Sequence, residues 1–241
     1  SQHHNITTSQ HPMSNIKIID LKFYDQSDVI AAFLVETSVG PVLVETGPFS
    51  TFQSLKSGIE KPGYHAEDIR HVFLTHIHLD HAGAAWWFAE RGAKIYVHQK
   101  GYKHLHDPSK LMSSAKRIYQ DMMDTLWGEM KAISADVLVA VEHEQTITIG
   151  DTDFKSWHTP GHAVHHIAWQ VENNIFAGDV GAFDWGMPVY HGEKNNITYL
   201  ASGMGGGVAD NYLIVDVQND KSVNFRIVSL TGSDLGNVED Y

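Results

Sequence analysis

Cysteine is absent from the 241 residues, so the chain can form no disulfide and offers no thiolate to a metal. Any metal it binds must be held by nitrogen and oxygen. Imidazoles with carboxylates suit Zn2+ best, with Mn2+, Fe2+ or Co2+ as alternative occupants. Basic residues are scarce: 17 Lys and Arg stand against 29 Asp and Glu, a formal net charge of -12. That balance disfavours a broad grip on nucleic-acid phosphates, and nucleic acid is not expected as the main partner. No apolar run approaches the length of a membrane span, and the N-terminus lacks a basic stretch followed by an apolar one. The expectation is a cytoplasmic protein with a small-molecule substrate and no membrane partner.

What is present is ordinary for a folded chain. Hydrophobic residues make up 42% and charged residues 19%, a composition unlike that of disordered chains. The length suits one α/β domain with a well-filled core. Histidine is the exception, at 17 residues. His3, His4 and His11 fall in the polar stretch 1–14, which reads as an expression tag or disordered arm with Met13 as a natural start, and they are set aside.

The stretch Thr75-His76-Ile77-His78-Leu79-Asp80-His81-Ala82-Gly83 organises the rest. It follows the apolar run Val72-Phe73-Leu74, which reads as a buried strand, and precedes an apolar stretch from Ala84 that reads as a helix. In an extended segment successive side chains alternate, so His76 and His78 point the same way and offer two imidazoles to one ion. Asp80 and His81 fall where the chain turns into the helix and can face a second ion. A lone histidine is usually a surface or core residue; three histidines and an aspartate within six positions favour the metal reading.

Around this stretch the periodicity predicts strands over 16–21, 29–37 and 41–45, with a turn at Ser38-Val39-Gly40. A helix over 51–59 and another over 82–91, ended by Gly92, are predicted next. Residues 101–132 read as a helical insertion rich in methionine and aromatic residues, fitted to packing or a homodimer interface ahead of the substrate contact that the family resemblance described below implies. Trp86 and Trp87 read as core. Strands follow over 93–97, 137–141, 145–149, 153–157, 166–170 and 174–177.

The run from Thr75 to Gly83 resembles the HxHxDH signature of the metallo-β-lactamase superfamily. Glu45-Thr46-Gly47, His158-Thr159-Pro160-Gly161-His162 and Phe176-Ala177-Gly178-Asp179 match further motifs in the same order. The resemblance implies an αββα sandwich, two β-sheets flanked by helices, over a core at 15–179. It implies that His162 joins His76 and His78 on a first metal, that Asp80 and His81 hold a second, and that Asp179 bridges both at roughly 3.5–4 Å. A turn or cap aspartate is the alternative for Asp179. The family usually has an aspartate where Glu45 stands, supporting the metal loop; a plain strand-ending turn is the alternative. His158, His165 and His166 read as supporting residues, and His98, His104 and His106 as bystanders.

Beyond Asp179 the pattern breaks. Residues 180–241 read as an atypical β-rich part completing the domain, with strands over 197–201, 212–217 and 223–230 that weakly resemble the closing strands of calcineurin-like phosphoesterases. No counterpart of the family's last histidine ligand is found; His191 is the one histidine left, and it comes early. The resemblance implies a glyoxalase II-like hydrolase of a small ester, thioester or lactone, with zinc as cofactor and Asp80 directing the attacking water. Rival expectations are a phosphoesterase, an iron-dependent oxygen or persulfide oxidoreductase, and a non-catalytic metal-binding protein.

Overall fold

In the computed structural model, residues 15–180 are described in full and five later strands by their backbone alone. Readings that fall on residues 1–14, on the His191 side chain and on the glycine-rich stretch 203–207 lie outside the described residues.

The first sheet contains β1 (Ile16–Asp20), β2 (Ala31–Thr37), β3 (Gly40–Val44), β4 (His71–Phe73), β5 (Lys94–His98) and β6 (Leu138–Val141), hydrogen-bonded in that order. β1, β2 and β3 form an antiparallel meander whose tight turn lies beyond the Thr37 and Gly40 pair. From β3 to β6 the pairing is parallel. Parallel neighbours need a crossover. α1 (Phe52–Glu60) lies between β3 and β4, α2 (Leu79–Ala82) and α3 (Ala85–Ala89) between β4 and β5. The insertion between β5 and β6 carries α4 (Gln99–His106), α5 (Ser109–Tyr119) and α6 (Met123–Leu126).

The second sheet is built from β7 (Thr146–Ile149), β8 (Thr152–His158), β9 (Ile167–Val171) and β10 (Asn174–Phe176), an antiparallel meander. β11 (Tyr190–Lys194) and β12 (Ile197–Ala201) extend it, β12 running parallel to β10. β13 (Asn211–Val217), β14 (Val223–Ser229) and β15 (Asp234–Asn237) pair antiparallel in a third sheet.

Strand β2 shows why the first sheet sits in the middle. Ala31, Phe33 and Val35 face the second sheet, while Ala32 and Leu34 join the cluster under the helices. A strand buried on both faces reads as a continuous apolar run, which is how the sequence presents it. Between the sheets, Phe73 stacks on Tyr96 at 4.4 Å and on Phe154 at 4.2 Å, and meets Trp169 edge-on at 4.8 Å. Trp169 Nε1 donates to the Leu74 carbonyl at 3.0 Å, tying the second sheet to the residue after β4. Each such ring contributes about 1.5–3 kcal/mol through burial, so the strand that delivers the histidine motif is anchored on the face it turns to the second sheet.

The helix expected over 82–91 is broken. α2 stops at Ala82 and α3 starts at Ala85 because Ala84 N leaves the helical ladder and donates to the Gly47 carbonyl at 2.9 Å and to Thr46 Oγ1 at 3.2 Å. A tertiary contact from thirty-odd residues upstream thus overrides a locally helical sequence. In the insertion, Met123, Trp127 and Met130 are buried and Ile118 and Met122 exposed. Trp86 is buried against Phe49 at 4.7 Å, and Trp87 packs on Phe52 at 4.6 Å. Among the described residues no helix is long and apolar enough to cross a membrane.

Candidate metal centre

The chemistry-bearing side chains emerge from one edge of the sandwich, after β3, β4, β8 and β10. The segment after β4 bends at Thr75 and is extended again at His78, the residue at the N-terminus of α2. His76 and His78 therefore stand two apart on one side of the chain, and Asp80 and His81 lie in the first turn of α2. The loop after β8 brings His162, and the turn after β10 brings Asp179.

Two groups of donor atoms result. His76, His78 and His162 form one, and His76, His81 and Asp179 the other; within each, the atoms lie within 4.8 Å of one another. His76 Nε2 is 3.1 Å from His78 Nδ1, and His162 Nε2 is 2.9 Å from the same atom. Imidazoles at about 2.0–2.1 Å from a tetrahedral ion would have nitrogens about 3.3 Å apart, so small outward movements would admit an ion. Asp179 divides its oxygens: Oδ1 is 3.3 Å from His81 Nε2 and Oδ2 is 3.5 Å from His162 Nε2. Asp80 joins through His81, its Oδ2 3.4 Å from His81 Nε2.

Three carboxylates surround the buried His81 imidazole. Glu45 Oε1 is 3.4 Å from Nδ1, with Asp80 and Asp179 on the Nε2 side. Burial opposes charge on this ring, yet Asp80, Asp179 and Glu45 together raise its pKa well above the ordinary value. Burial pushes Asp80 upward, and the His81 charge and hydrogen bond outweigh it, leaving the carboxyl below its usual range. The pocket therefore demands positive charge. Burial lowers His76 far below the ordinary imidazole value and, with the nearby His162, lowers His78 to about 4. Both are neutral at pH 7, the state in which an imidazole ligates a metal. Asp179 Oδ1 and Glu45 Oε2 are buried with no hydrogen-bond partner among the described residues. Neutral imidazoles, a net carboxylate charge and a sealed oxygen facing the cluster fit a divalent cation.

Supporting residues hold this arrangement. Thr75 uses three groups: its N donates to Glu45 Oε1 at 3.2 Å, its carbonyl accepts from Ile167 N at 2.8 Å, and its Oγ1 is 3.0 Å from His76 Nδ1. Glu45 itself has a φ of 63°, and the following residues clasp α2: Thr46 N and Thr46 Oγ1 donate to the His81 carbonyl at 2.8 and 2.9 Å. His166, fully buried, joins two loops. Its Nε2 accepts from Asp179 N at 3.0 Å, so Nδ1 carries the proton and donates to Thr159 Oγ1 at 2.8 Å. Gly178 has a φ of 53°, and a Cβ there would stand 2.5 Å from Thr75 Oγ1.

The other histidines gather beside the centre. His98 and His158 stack at 4.2 Å, and the His165 ring lies 6.0 Å from that of His78 and 6.5 Å from that of His104. His106 turns away to the Ile133 carbonyl. Sequence reasoning passed over Thr75 and Thr159, which carry no signal beyond flanking the motif histidines.

The comparisons with known proteins follow the same residues. The profile of the metallo-beta-lactamase superfamily matches residues 28–193. The metallo-beta-lactamase fold-containing protein ST1585 of Sulfurisphaera tokodaii is 30% identical over 122 residues, 48% of this chain and 47% of its own. The chain thus spans about half the length of that curated relative. The crystal structure of the archaeal ST1585 has a TM-score of 0.57 at 23% identity, covering 74% of this chain and 68% of that one. BJP-1, a subclass B3 metallo-beta-lactamase of Bradyrhizobium japonicum, has a TM-score of 0.52 at 21% identity, covering 76% and 56%. At these identities the two structures establish a common fold.

Proposed function

This chain belongs to the metallo-beta-lactamase superfamily, and on that premise we propose that it is a metal-dependent hydrolase acting on a small ester, thioester or lactone. The reading rests chiefly on the two overlapping donor groups, which share His76 and are spanned by the two oxygens of Asp179. His76, His78 and His162 would hold one cation, Asp80 and His81 a second, and Asp179 would reach both. Zinc suits a set made only of nitrogen and oxygen donors. A divalent cation bound there supplies Lewis acidity and brings a coordinated water toward a pKa of about 7.

The chain's own groups then direct the reaction. Asp80 is ionised at neutral pH and largely shielded from solvent, so it can orient the attacking water and accept its proton. The water oxygen adds to the acyl carbon, the bond to the leaving oxygen or sulfur breaks, and the proton held by Asp80 passes to that leaving group. Glu45 fixes His81 from its Nδ1 side, as carboxylates commonly do for metal-bound histidines.

The test is a panel of ester, thioester, lactone and phosphodiester substrates offered to zinc-reconstituted protein, with metal analysis of protein purified without added metal. Acyl substrates should be hydrolysed and a chelator should stop the reaction. Hydrolysis of none of the panel overturns the proposal, and iron with an oxygen-dependent activity would replace it.

A further inference from the structure

The loop that delivers His162 runs from β8 to β9 and closes on His166. Thr159 N donates to the His166 carbonyl at 3.0 Å, His166 N donates to the Ala163 carbonyl at 3.0 Å, and the ring Nδ1 donates to Thr159 Oγ1 at 2.8 Å. The other ring nitrogen leaves the loop altogether: Nε2 accepts from Asp179 N at 3.0 Å. One fully buried imidazole thus has the His162 loop at one nitrogen and the Asp179 turn at the other.

The turn is pressed onto this ring. Gly178 has a φ of 53°, and a Cβ there would stand 2.7 Å from His166 Nε2 and 2.5 Å from Thr75 Oγ1, the atom 3.0 Å from His76 Nδ1. The backbone at Asp179 is therefore fixed from two sides. Asp179 Oδ1, 3.3 Å from His81 Nε2, accepts no hydrogen bond among the described residues, so its aim depends on the backbone that carries it. Oδ2 stands 3.5 Å from His162 Nε2, on the loop held by the far side of the same imidazole.

Resting on the two-ion reading above, we propose that His166 is a positioning residue for Asp179: its acceptor nitrogen holds the Asp179 backbone where the carboxylate can reach the second cation. The first cation has His76, His78 and His162 besides Asp179, whereas the second has only Asp80 and His81 besides it. Misdirecting Asp179 therefore falls more heavily on the second.

Two amide variants separate the ends of the ring. In His166→Gln the amide reaches where Nε2 stands and can accept from Asp179 N. In His166→Asn it stops where Nδ1 stands, keeping Thr159 and leaving the Asp179 N–H without its acceptor. Zinc affinity is read by stepwise competition with a chromophoric chelator, beside the Tm of the metal-free proteins. The wild type should bind two zinc ions. In His166→Asn the second should bind about ten- to a hundredfold more weakly, the usual cost of removing an outer partner of a metal site, while the first stays near its wild-type affinity. His166→Gln should recover most of that loss. Two zinc ions at wild-type affinity in His166→Asn overturn the assignment, as do equal weakening of both ions, a Gln variant no better than the Asn variant, or a wild type that binds fewer than two. If His166→Asn does not fold, Thr159→Val, which removes the acceptor at the other end of the ring, carries the test: a weaker second zinc supports the assignment and wild-type affinity overturns it. Protein that follows the expected zinc pattern and cleaves no ester refutes the hydrolase reading and leaves the part given to His166 standing.

Discussion

The loops that carry His76, His78, His162 and Asp179 are held by hydrogen bonds from several directions, whereas α5, in the helical insertion between β5 and β6, lies mostly exposed. Thr75 alone engages Glu45, His76 and Ile167, and His166 joins the Thr159 loop to the Asp179 turn. In α5, by contrast, only Ala115 is buried, and Ile118 is 71% exposed. The contrast follows from what each region must do. Ligand atoms tolerate displacements of only tenths of an ångström before a metal is lost, so their supports are redundant. α5 carries no histidine or carboxylate, and its exposed positions need no such precision.

The sharpest way to break this contrast is to remove chemistry from the rigid side without touching its supports. Asp80→Ala should lower turnover of the zinc-loaded protein by about 10³-fold, within the range for a general base, while the Tm changes little; full activity in steady-state kinetics would contradict the role given to Asp80. Next comes a support. Glu45→Gln should weaken zinc binding about ten- to a hundredfold, read by competition with a chromophoric chelator. Wild-type affinity would mean that Glu45 does not act through His81.

Gly83→Ala probes the rigid side through packing. The added Cβ would stand 2.5 Å from the Leu79 carbonyl and 2.8 Å from Pro48 Cα, both backbone, so a loss of about 1–3 kcal/mol is expected in urea denaturation. The boundary between the regions should respond to pH. His98 and His165 are lowered to about 4, chiefly by burial, from an ordinary 6.5. Between those values the unfolded chain takes up protons that the folded protein refuses. Stability contributed by these groups is therefore intact above pH 6.5 and lost as pH falls toward 4. The drop in Tm of metal-free protein over that window should be smaller in the His98→Asn, His165→Asn double variant. On the loose side, Ile118→Ser with Met122→Ser should change stability by no more than about 0.5 kcal/mol and leave turnover of a small ester unaltered.

The same division governs what the sequence disclosed. The superfamily and its two-sheet architecture with flanking helices were legible because strand patterning and the spacing of His76, His78, Asp80 and His81 are local. His162 and Asp179 required the resemblance, since nothing in residues 158–179 says which strand edge they share with His76. The break after Ala82 was illegible because it depends on Thr46 and Gly47, far upstream. The supporting part of His166 was seen only in outline, for its two partners come from loops on opposite sides of β9.

The central claim is that separate loops converge their nitrogens on one cation, and anomalous diffraction at the zinc edge from crystals grown with zinc tests it directly. The account predicts a peak about 2.0–2.1 Å from nitrogens of His76, His78 and His162. A map with zinc bound elsewhere, or with those three rings turned to different places, would contradict it.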